Sequence, residues 1–499
     1  MTVRAVYTKN QNIYDDPTRF FKSDADHRIY MVIDLKSFYA SVECVERGLD
    51  PMTAKLVVAD PSRSRGTICL AVSPALKALG VRNRCRVYEI PKELDYITAP
   101  PQMQHYIDCS AEIYSVYLQY ISSDDIHVYS IDEAFLDVTD YLSLYHMTAK
   151  ELGIEIMNAI LDRTGIRSTC GIGTNMYLAK IALDITAKHS PDFIGILTED
   201  TYRETLWDHQ PITDFWMVAG GISGRLARYG IHTMHDIART AMVNENLLYK
   251  QFGINAEILI DHAFGIETVR MPDIKNYRTE SHSLSSGQVL LRDYSFEEAK
   301  LVVKEMLDQL CLDMAAEGVV THSVTLAVLY SHNWTDANGL PAGYSGGTVR
   351  SVHATNSDRV WRDLVISLYE RIVRRDAPIR RINLCCNELK KEEKVCSQFS
   401  LFDDQGNFCA DITRGIEEQE RNRRIRRAVL ELRARYGKNA VLKGMNLSAA
   451  GTQIERNCQV GGHKSGRMDR VALEHERLQK KTGLPKKESA SDRTKEESR

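Results

Sequence analysis

The chain is 499 residues long, with 43% hydrophobic and 26% charged residues, 29 glycines and 13 prolines. This ordinary globular mixture excludes collagen-like, low-complexity and wholly disordered classes and leaves room for about three domains. The formal net charge is −3, an unpromising balance for a nucleic-acid binder, yet it is unevenly spread: Asp403 to Arg499 carries 22 Lys and Arg against 15 Asp and Glu.

No apolar run approaches the roughly 20 residues that span a bilayer, so no membrane partner is expected. Residues 1–27 form a polar leader without the apolar block of a secretory signal. The cysteines are odd in number, scattered, and contain no Cys-x-x-Cys pair. A disulfide framework or structural zinc site is therefore not expected, and a reducing, cytoplasmic location is.

Tyr30 to Ile33 reads as a buried strand ending on Asp34, and Ser37 to Glu46 as a helix with Phe38, Val42 and Val45 on one face. Lys55 to Ala59 and Ile68 to Val72 are further apolar runs, and Pro74 to Leu79 is a short helix stopped by Gly80. His105 to Tyr120 has helical periodicity; Ile126 to Ile131 and Ala134 to Val138 are β-type runs joined through Asp132-Glu133. Lys150 to Asp162 predicts a helix, Thr169 to Ile172 a strand, and Asn175 to Ala187 another helix. Such alternation argues for an α/β domain.

From Thr201 to Phe264 the pattern turns helical, in pieces broken by Gly220, Gly221, Gly224 and Gly230. Asp273 to His282 reads as a polar linker. Ser283 to about Asn387 returns to mixed α and β, with helices at Leu301–Glu317 and Asp358–Arg374 and strands at Ser323–Tyr330 and Arg380–Cys386. An Arg-rich helix follows from about Gly415 to Tyr436, and the tail from Pro485 to Arg499 is expected to be disordered.

Two segments carry candidate chemistry. Asp34 sits where a buried strand meets a helix, and Asp132-Glu133 sits at the junction of two β-runs. Carboxylates inside apolar strand sequence are costly unless paired or bound to a cation, and hard divalent ions prefer carboxylate oxygen. Two such ions could stabilise the attacking and leaving oxygens of an in-line displacement at phosphorus. On spacing alone, Asp34 could equally cap the following helix and Asp132-Glu133 could simply turn a hairpin.

The stretches Asp34-Leu35-Lys36-Ser37-Phe38-Tyr39-Ala40-Ser41-Val42-Glu43 and Tyr129-Ser130-Ile131-Asp132-Glu133-Ala134-Phe135-Leu136-Asp137 resemble the two signature motifs of the Y-family, or translesion, DNA polymerases. The resemblance covers about residues 28–402 and is nearest to the UmuC-like bacterial branch. It implies an α/β multidomain, right-hand polymerase with an α/β palm, small fingers, a helical thumb and a mixed α/β little finger. The palm would span 28–200 with fingers inserted at about 45–100, the thumb 201–272, and the little finger 283–390.

By the same resemblance, Asp34, Asp132 and Glu133 ligate two Mg²⁺ ions, with the Leu35 carbonyl as a further ligand. Lys36 stands where the family often has a carboxylate. Tyr39 matches the steric gate that rejects a ribose 2′-hydroxyl, and Phe38 would pack beside the sugar. Lys180 matches a lysine that contacts the triphosphate, and Lys77 takes the place of a basic residue in the fingers, although Pro74 replaces a tyrosine common there.

Phe215 to Ile231 resembles the thumb's helix-hairpin-helix, with Met217 and Ala219 where glycines are usual. Arg374, Arg375, Arg380 and Arg381 of the little finger are candidate phosphate neighbours. Gln398-Phe399-Ser400-Leu401-Phe402 resembles a sliding-clamp motif, with Gln398, Leu401 and Phe402 as anchors in a 391–414 segment. In the basic region 415–484, Arg421, Arg423, Arg424, Arg426 and Arg427 form a DNA contact, a partner-binding helix or a solvated face.

The expected partners are primer–template DNA, deoxynucleoside triphosphates, the sliding clamp and an accessory damage-response protein. The expected activity is low-fidelity, template-directed nucleotidyl transfer in lesion bypass. The rivals are a clamp-bound scaffold that no longer polymerises and a palm-domain nucleotidyl cyclase. The intact acidic triad argues against the first, and the hairpin thumb has no use in the second.

Overall fold

The structure, a computed structural model, describes residues 28–466 apart from 64, 279–282, 333, 336–338, 342 and 395–411. The leader, the Gln398–Phe402 motif and the C-terminal tail lie outside the described residues.

The first domain is built on β1 (Tyr30–Leu35), which is apolar except at Asp34 and occupies the centre of a five-stranded sheet. After α1 (Phe38–Glu46) the chain leaves the sheet to form a small lobe of β2 (Leu56–Val58), β3 (Ala71–Val72), α2 (Pro74–Ala78) and β4 (Ile97–Ala99). It returns through α3 (Met103–Tyr117), β5 (Ile126–Val128), β6 (Glu133–Asp137), α4 (Thr139–Tyr145) and α5 (Ala149–Thr164). β7 (Ser168–Gly173), α6 (Met176–Ile181) and β8 (Ile194–Leu197) complete the order β5-β6-β1-β7-β8.

The strand period of two divides β1 between the two faces. Met31, Ile33 and Leu35 pack with Ile113 of α3 and with Leu152, Ile156 and Ile160 of α5. Tyr30 and Val32 face the other way, against Phe135, Met176, Ala179 and Leu183. Parity therefore puts Asp34 on the α6 face.

The long helix expected over Asn175–Ala187 is divided. α6 gives way to a π-helical turn at Ala182–Thr186 and a 3₁₀ turn at Ala187–His189. This segment crosses β7 and β8 at backbone distance: a Cβ on Gly171 would lie 2.1 Å from the Ala179 carbonyl oxygen, and one on Gly195 would lie 2.3 Å from that of Ala182. Neither partner is a side chain that could swing aside. Gly171→Ala should cost about 3 kcal/mol of stability, read as a lower urea midpoint with an unchanged slope; an unaltered midpoint would refute this packing.

The second domain is helical: α7 (Glu199–Leu206), α8 (Gly220–Ala227), α9 (Met234–Phe252) and α10 (Asn255–Phe264). Its core includes Tyr177, Leu178 and Ile181 of α6, so it grows directly out of the first. The predicted linker begins later than its composition implied. Met271–Asn276 is a helix, α11, whose Met271 is fully buried against Tyr30, Val32 and Phe135. Lys275 Nζ also donates to the Ser123 carbonyl at 2.7 Å. Two apolar anchors, Met271 and Ile274, in a hexapeptide are too few for periodicity to reveal.

The third domain runs β9 (Ser283–Tyr294), α12 (Phe296–Glu317), β10 (Val319–Tyr330), β11 (Tyr344–Thr355), α13 (Asp358–Ile372) and β12 (Ile379–Asn387), with the short β13 (Lys390–Lys391) paired to β10. The sheet order is β11-β10-β12-β9, and α12 and α13 cover one face. The other face is open and bears Ser285, Gly287, Thr325, Ala327, Thr348, Arg350, Arg381 and Asn383.

The basic helix α14 (Ile412–Tyr436) lies on α12. Arg423 pairs with Glu392 at 2.8 Å, and Arg433 donates to Gln309 Oε1 at 3.0 Å. One face of this helix is thus docked, while Arg421, Arg424 and Arg427 remain exposed. The chain ends its described course with α15 (Gln453–Asn457) and the hairpin β14 (Gln459–Val460) and β15 (His463–Lys464).

Candidate active site

Antiparallel pairing of β1 with β6 sets Asp34 opposite Glu133, and the Leu35 N–H donates to the Asp132 carbonyl at 2.9 Å. Two motifs remote in sequence thus become neighbours through ordinary ladder register. Asp132 is oriented by Ser130, whose Oγ donates to its Oδ1 at 2.6 Å.

The electrostatics of this corner are unfavourable as they stand. Burial, followed by the charges of Asp132 and Glu133, pushes the Asp34 carboxyl up to about 7; Lys180 and Lys188 only partly offset this. Glu133 is also raised, by burial first, against the opposing pull of Lys180. Its Oε2 accepts from Lys180 Nζ at 2.7 Å, whereas its Oε1 is buried with no hydrogen-bond partner.

Among the described residues no three Asp, Glu, His or Cys side chains already converge on one point as a metal-ligand set; Glu133 is turned toward Lys180 instead. The donor set nonetheless fits a hard cation. An orphaned buried carboxylate oxygen beside a carboxyl pushed up by burial and by two other acids calls for positive charge.

Lys180 differs from expectation. It is 7% exposed and bonded to both Glu133 and Asp184, the latter at 3.1 Å. It serves as an internal counterion of the acidic corner, with two of its three ammonium donors directed at carboxylates. Two further cations, Lys36 and Lys188, act on the same acidic corner, and the sequence reading gave neither of them a site role. Lys36 Nζ lies 3.9 Å above the Phe193 ring, and its pKa is lowered by burial, with Asp34 opposing and Lys77, Lys188 and Arg167 adding to the fall. Lys188 follows Asp184 and Lys180 at four-residue spacing, a pattern that could have signalled a common face.

Lys77 donates from Nζ to Ser37 Oγ at 2.8 Å, which ties the small lobe to the first motif. Ser37 itself holds a left-handed backbone, φ 49°, at the N-cap of α1. Lys77 is depressed by burial and then by Lys188, against Asp34 and Asp132. Lys36, Lys77 and Lys188 therefore repel one another around the acidic corner, an arrangement that a polyanion would relieve.

The Tyr39 ring is half-buried and stacks on Tyr106, with centroids 4.6 Å apart and planes 23° from parallel. Tyr106 is fixed in turn by its hydroxyl, which donates to Glu43 Oε1 at 2.5 Å. Glu43 is fully buried, accepts from Gln102 Nε2 at 3.1 Å and pairs with Arg47. Phe38 needs correction: it is 2% exposed and belongs to the hydrophobic core, so it supports the site from below rather than flanking a sugar.

In the helical domain, the turn before α8 has the backbone a glycine would supply: Met217 holds φ 68° and is exposed. Gly220 and Gly221 open the helix onto free space, where a Cβ would meet nothing within 4 Å. Of the four arginines marked in the third domain, Arg374 pairs with Asp376, Arg375 lies over Phe296 and Arg380 faces Asp293. Arg381 remains on the open sheet face, bonded to Asn383. No helix among the described residues is long and apolar enough to cross a membrane.

Comparison with known proteins agrees with this geometry. Residues 33–184 match the model of the impB/mucB/samB family, and residues 281–401 match that family's C-terminal domain. The chain is 29% identical to the Bacillus subtilis protein named "Putative UV-damage repair protein UvrX", over 87% of this chain and 97% of that one. It is 28% identical to DNA polymerase IV 2 of the same organism, over 87% and 98%. A solved Y-family DNA polymerase chimera of Dbh and Dpo4 shares the fold, with a TM-score of 0.55 and 20% identity over 72% of this chain and 98% of that one. Its palm-type acidic corner, its helical and mixed α/β domains and both family models place this chain in the impB/mucB/samB family, as a UmuC-like member of the Y-family DNA polymerases.

Proposed function

We infer that the protein is a translesion DNA polymerase that extends a primer 3′ end on a DNA template by nucleotidyl transfer. The observation that carries this reading is the pairing of Asp34 with Glu133 and of Leu35 with Asp132, which gathers three acids at one end of the central strands β1 and β6 beside Tyr39. A catalytically inert scaffold would have no use for carboxylates held at such electrostatic cost.

Asp34, Asp132, Glu133 and the Leu35 carbonyl would hold two Mg²⁺ ions. When bound, these supply Lewis-acid stabilisation to the attacking and departing oxygens. The chain's own residues do the rest. Lys36, Lys77 and Lys188 bind the triphosphate and orient it toward the acids. Tyr39, immobilised by its stack on Tyr106, closes the space a 2′-hydroxyl would need. Lys180 favours the charged form of Glu133 against burial and holds its carboxylate in place.

The α8 turn and the open face of the third domain's sheet would hold primer–template DNA through its phosphates. Gln398, Leu401 and Phe402 would dock the sliding clamp, and an accessory damage-response protein would act beside it. Retention on DNA would then depend on tethering rather than on net charge.

Primer extension with Mg²⁺ on undamaged and abasic templates tests the reading. Wild-type protein should extend both, and Asp132→Ala should lose about 10³-fold or more in rate while still binding DNA. Equal extension by the two proteins would overturn the assignment.

A further inference from the structure

Beyond α14 the described chain, residues 437–466, leaves the third domain and reaches a distant part of the molecule. Its first half docks on α12. There Glu305, 1% exposed, accepts from Asn446 Nδ2 at 2.9 Å, the Thr452 N–H at 2.7 Å, Thr452 Oγ1 at 3.2 Å and the Gln453 N–H at 3.2 Å. Arg456 reaches Gln288 Oε1 and Ser286 Oγ of β9, both at 3.1 Å. One buried carboxylate thus gathers donors from a single segment, a network that is costly to leave half-made.

The second half docks on the fingers and palm. Lys464 Nζ donates to Asp60 Oδ1 at 2.9 Å and Ser62 Oγ at 2.8 Å, and the Arg63 guanidinium donates to the Gly462 carbonyl at 3.0 Å. Asp60 is 5% exposed; burial disfavours its charge, but hydrogen bonds from Lys464 and Ser62 outweigh this and hold it below the usual carboxylate range. The Ser465 carbonyl accepts the Gln104 N–H at 2.8 Å, satisfying a first-turn amide of α3 that has no partner within its helix. Val460 packs on the palm core, and Gly466, at φ 86°, lies so close to Gln102 that a Cβ would approach its Cβ to 2.7 Å.

Palm, thumb, linker and little finger would otherwise be strung in a line. This segment joins the last to the first and turns the line into a closed circuit. It runs along α12 and the inner side of β9, so the open face of the sheet stays clear.

We propose that residues 437–466 are an intramolecular clasp that fixes the little finger against the fingers and palm, with Glu305 and Lys464 as its positioning contacts, and that the clasp prolongs each encounter with DNA. The kinetic part rests on the polymerase reading; the structural part does not. A second attachment raises the effective concentration of the little finger beside the fingers without adding any contact to DNA.

The test is Lys464→Glu in the full-length protein, which sets two carboxylates against each other at the buried Asp60. Hydrogen exchange at Gln104 and across residues 60–63 should quicken by about 10-fold or more, and the radius of gyration in solution should increase. With trap DNA present, nucleotides added per encounter should fall by about three-fold or more, while single-turnover insertion of the first nucleotide stays unchanged. Lys464→Arg should behave as wild type, and adding Asp60→Asn to Lys464→Glu should restore part of the loss by removing the repulsion. Wild-type exchange and radius in Lys464→Glu would overturn the clasp, and exchange that quickens without any loss of nucleotides per encounter would overturn its effect on DNA retention. If the wild type adds no nucleotides at all, the polymerase reading fails, and exchange and scattering still decide whether the clasp exists.

Discussion

With divalent ions chelated at pH 7, Asp34→Asn should melt at a higher temperature than the wild type, while with Mg²⁺ restored its primer extension should be lower by about 10³-fold or more. Both effects have one cause. Asp34 is a carboxyl whose folded pKa stands at about 7, raised by burial and by the neighbouring Asp132 and Glu133 charges. Relative to an unfolded value near 4, a raised pKa confers stability that is fully present in acid and is lost as pH climbs through 7. At neutral pH the charge costs on the order of 3 kcal/mol. Asparagine removes the charge but also removes a ligand. The advantage in melting temperature should therefore shrink toward pH 4 and be undercut by Mg²⁺ in the wild type. A lower melting point for Asp34→Asn at pH 7 would show that the three acids do not strain one another.

Tyr39→Val should admit ribonucleotides. The ratio of kcat/KM for deoxy- over ribonucleotide should drop by roughly 10²-fold, equivalent to about 3 kcal/mol of lost repulsion, with deoxynucleotide insertion much less affected. The gate works only if its ring cannot retreat, and Tyr106 stacked behind it, held by the buried Glu43, prevents that. Tyr106→Leu should accordingly surrender part of the discrimination although it leaves Tyr39 in place. Competing ribo- and deoxynucleotide incorporation opposite one template base measures both; an unchanged ratio in Tyr39→Val would assign selectivity elsewhere.

The acidic corner was readable in sequence because strand periodicity and two compact motifs specify it: an apolar β1 interrupted only at Asp34, and Asp132-Glu133 at a β junction. What was hidden followed a different logic. β9 and β11 were not among the expected strands: they are the edges of their sheet, and Ser286, Ser345 and Gly347 put small or polar residues on its covered face as well, so no apolar alternation marks them; they exist through pairing with β12 and β10. The π-helical turn after α6 is imposed by contact with Gly171 and Gly195 and has no local signature. The contrast between Lys180 and Lys188 could not be read from one helix, because it depends on which lysine Glu133 reaches. The segment after α14 was opaque for a related reason: its partners, Glu305 and Asp60, lie far back in the chain and are polar.

The bond between Lys180 and Glu133 also bears on the order of events in the life of the molecule. A site whose acids were all left bare would need its ions before the surrounding sheet could close, as in small domains that fold only around a metal. Here a resident ammonium neutralises one acid and protonation can quiet another, so the sheet can be completed first and loaded later. Divalent ions held by Asp34, Asp132 and Glu133 would then be exchangeable, and the fold would persist without them.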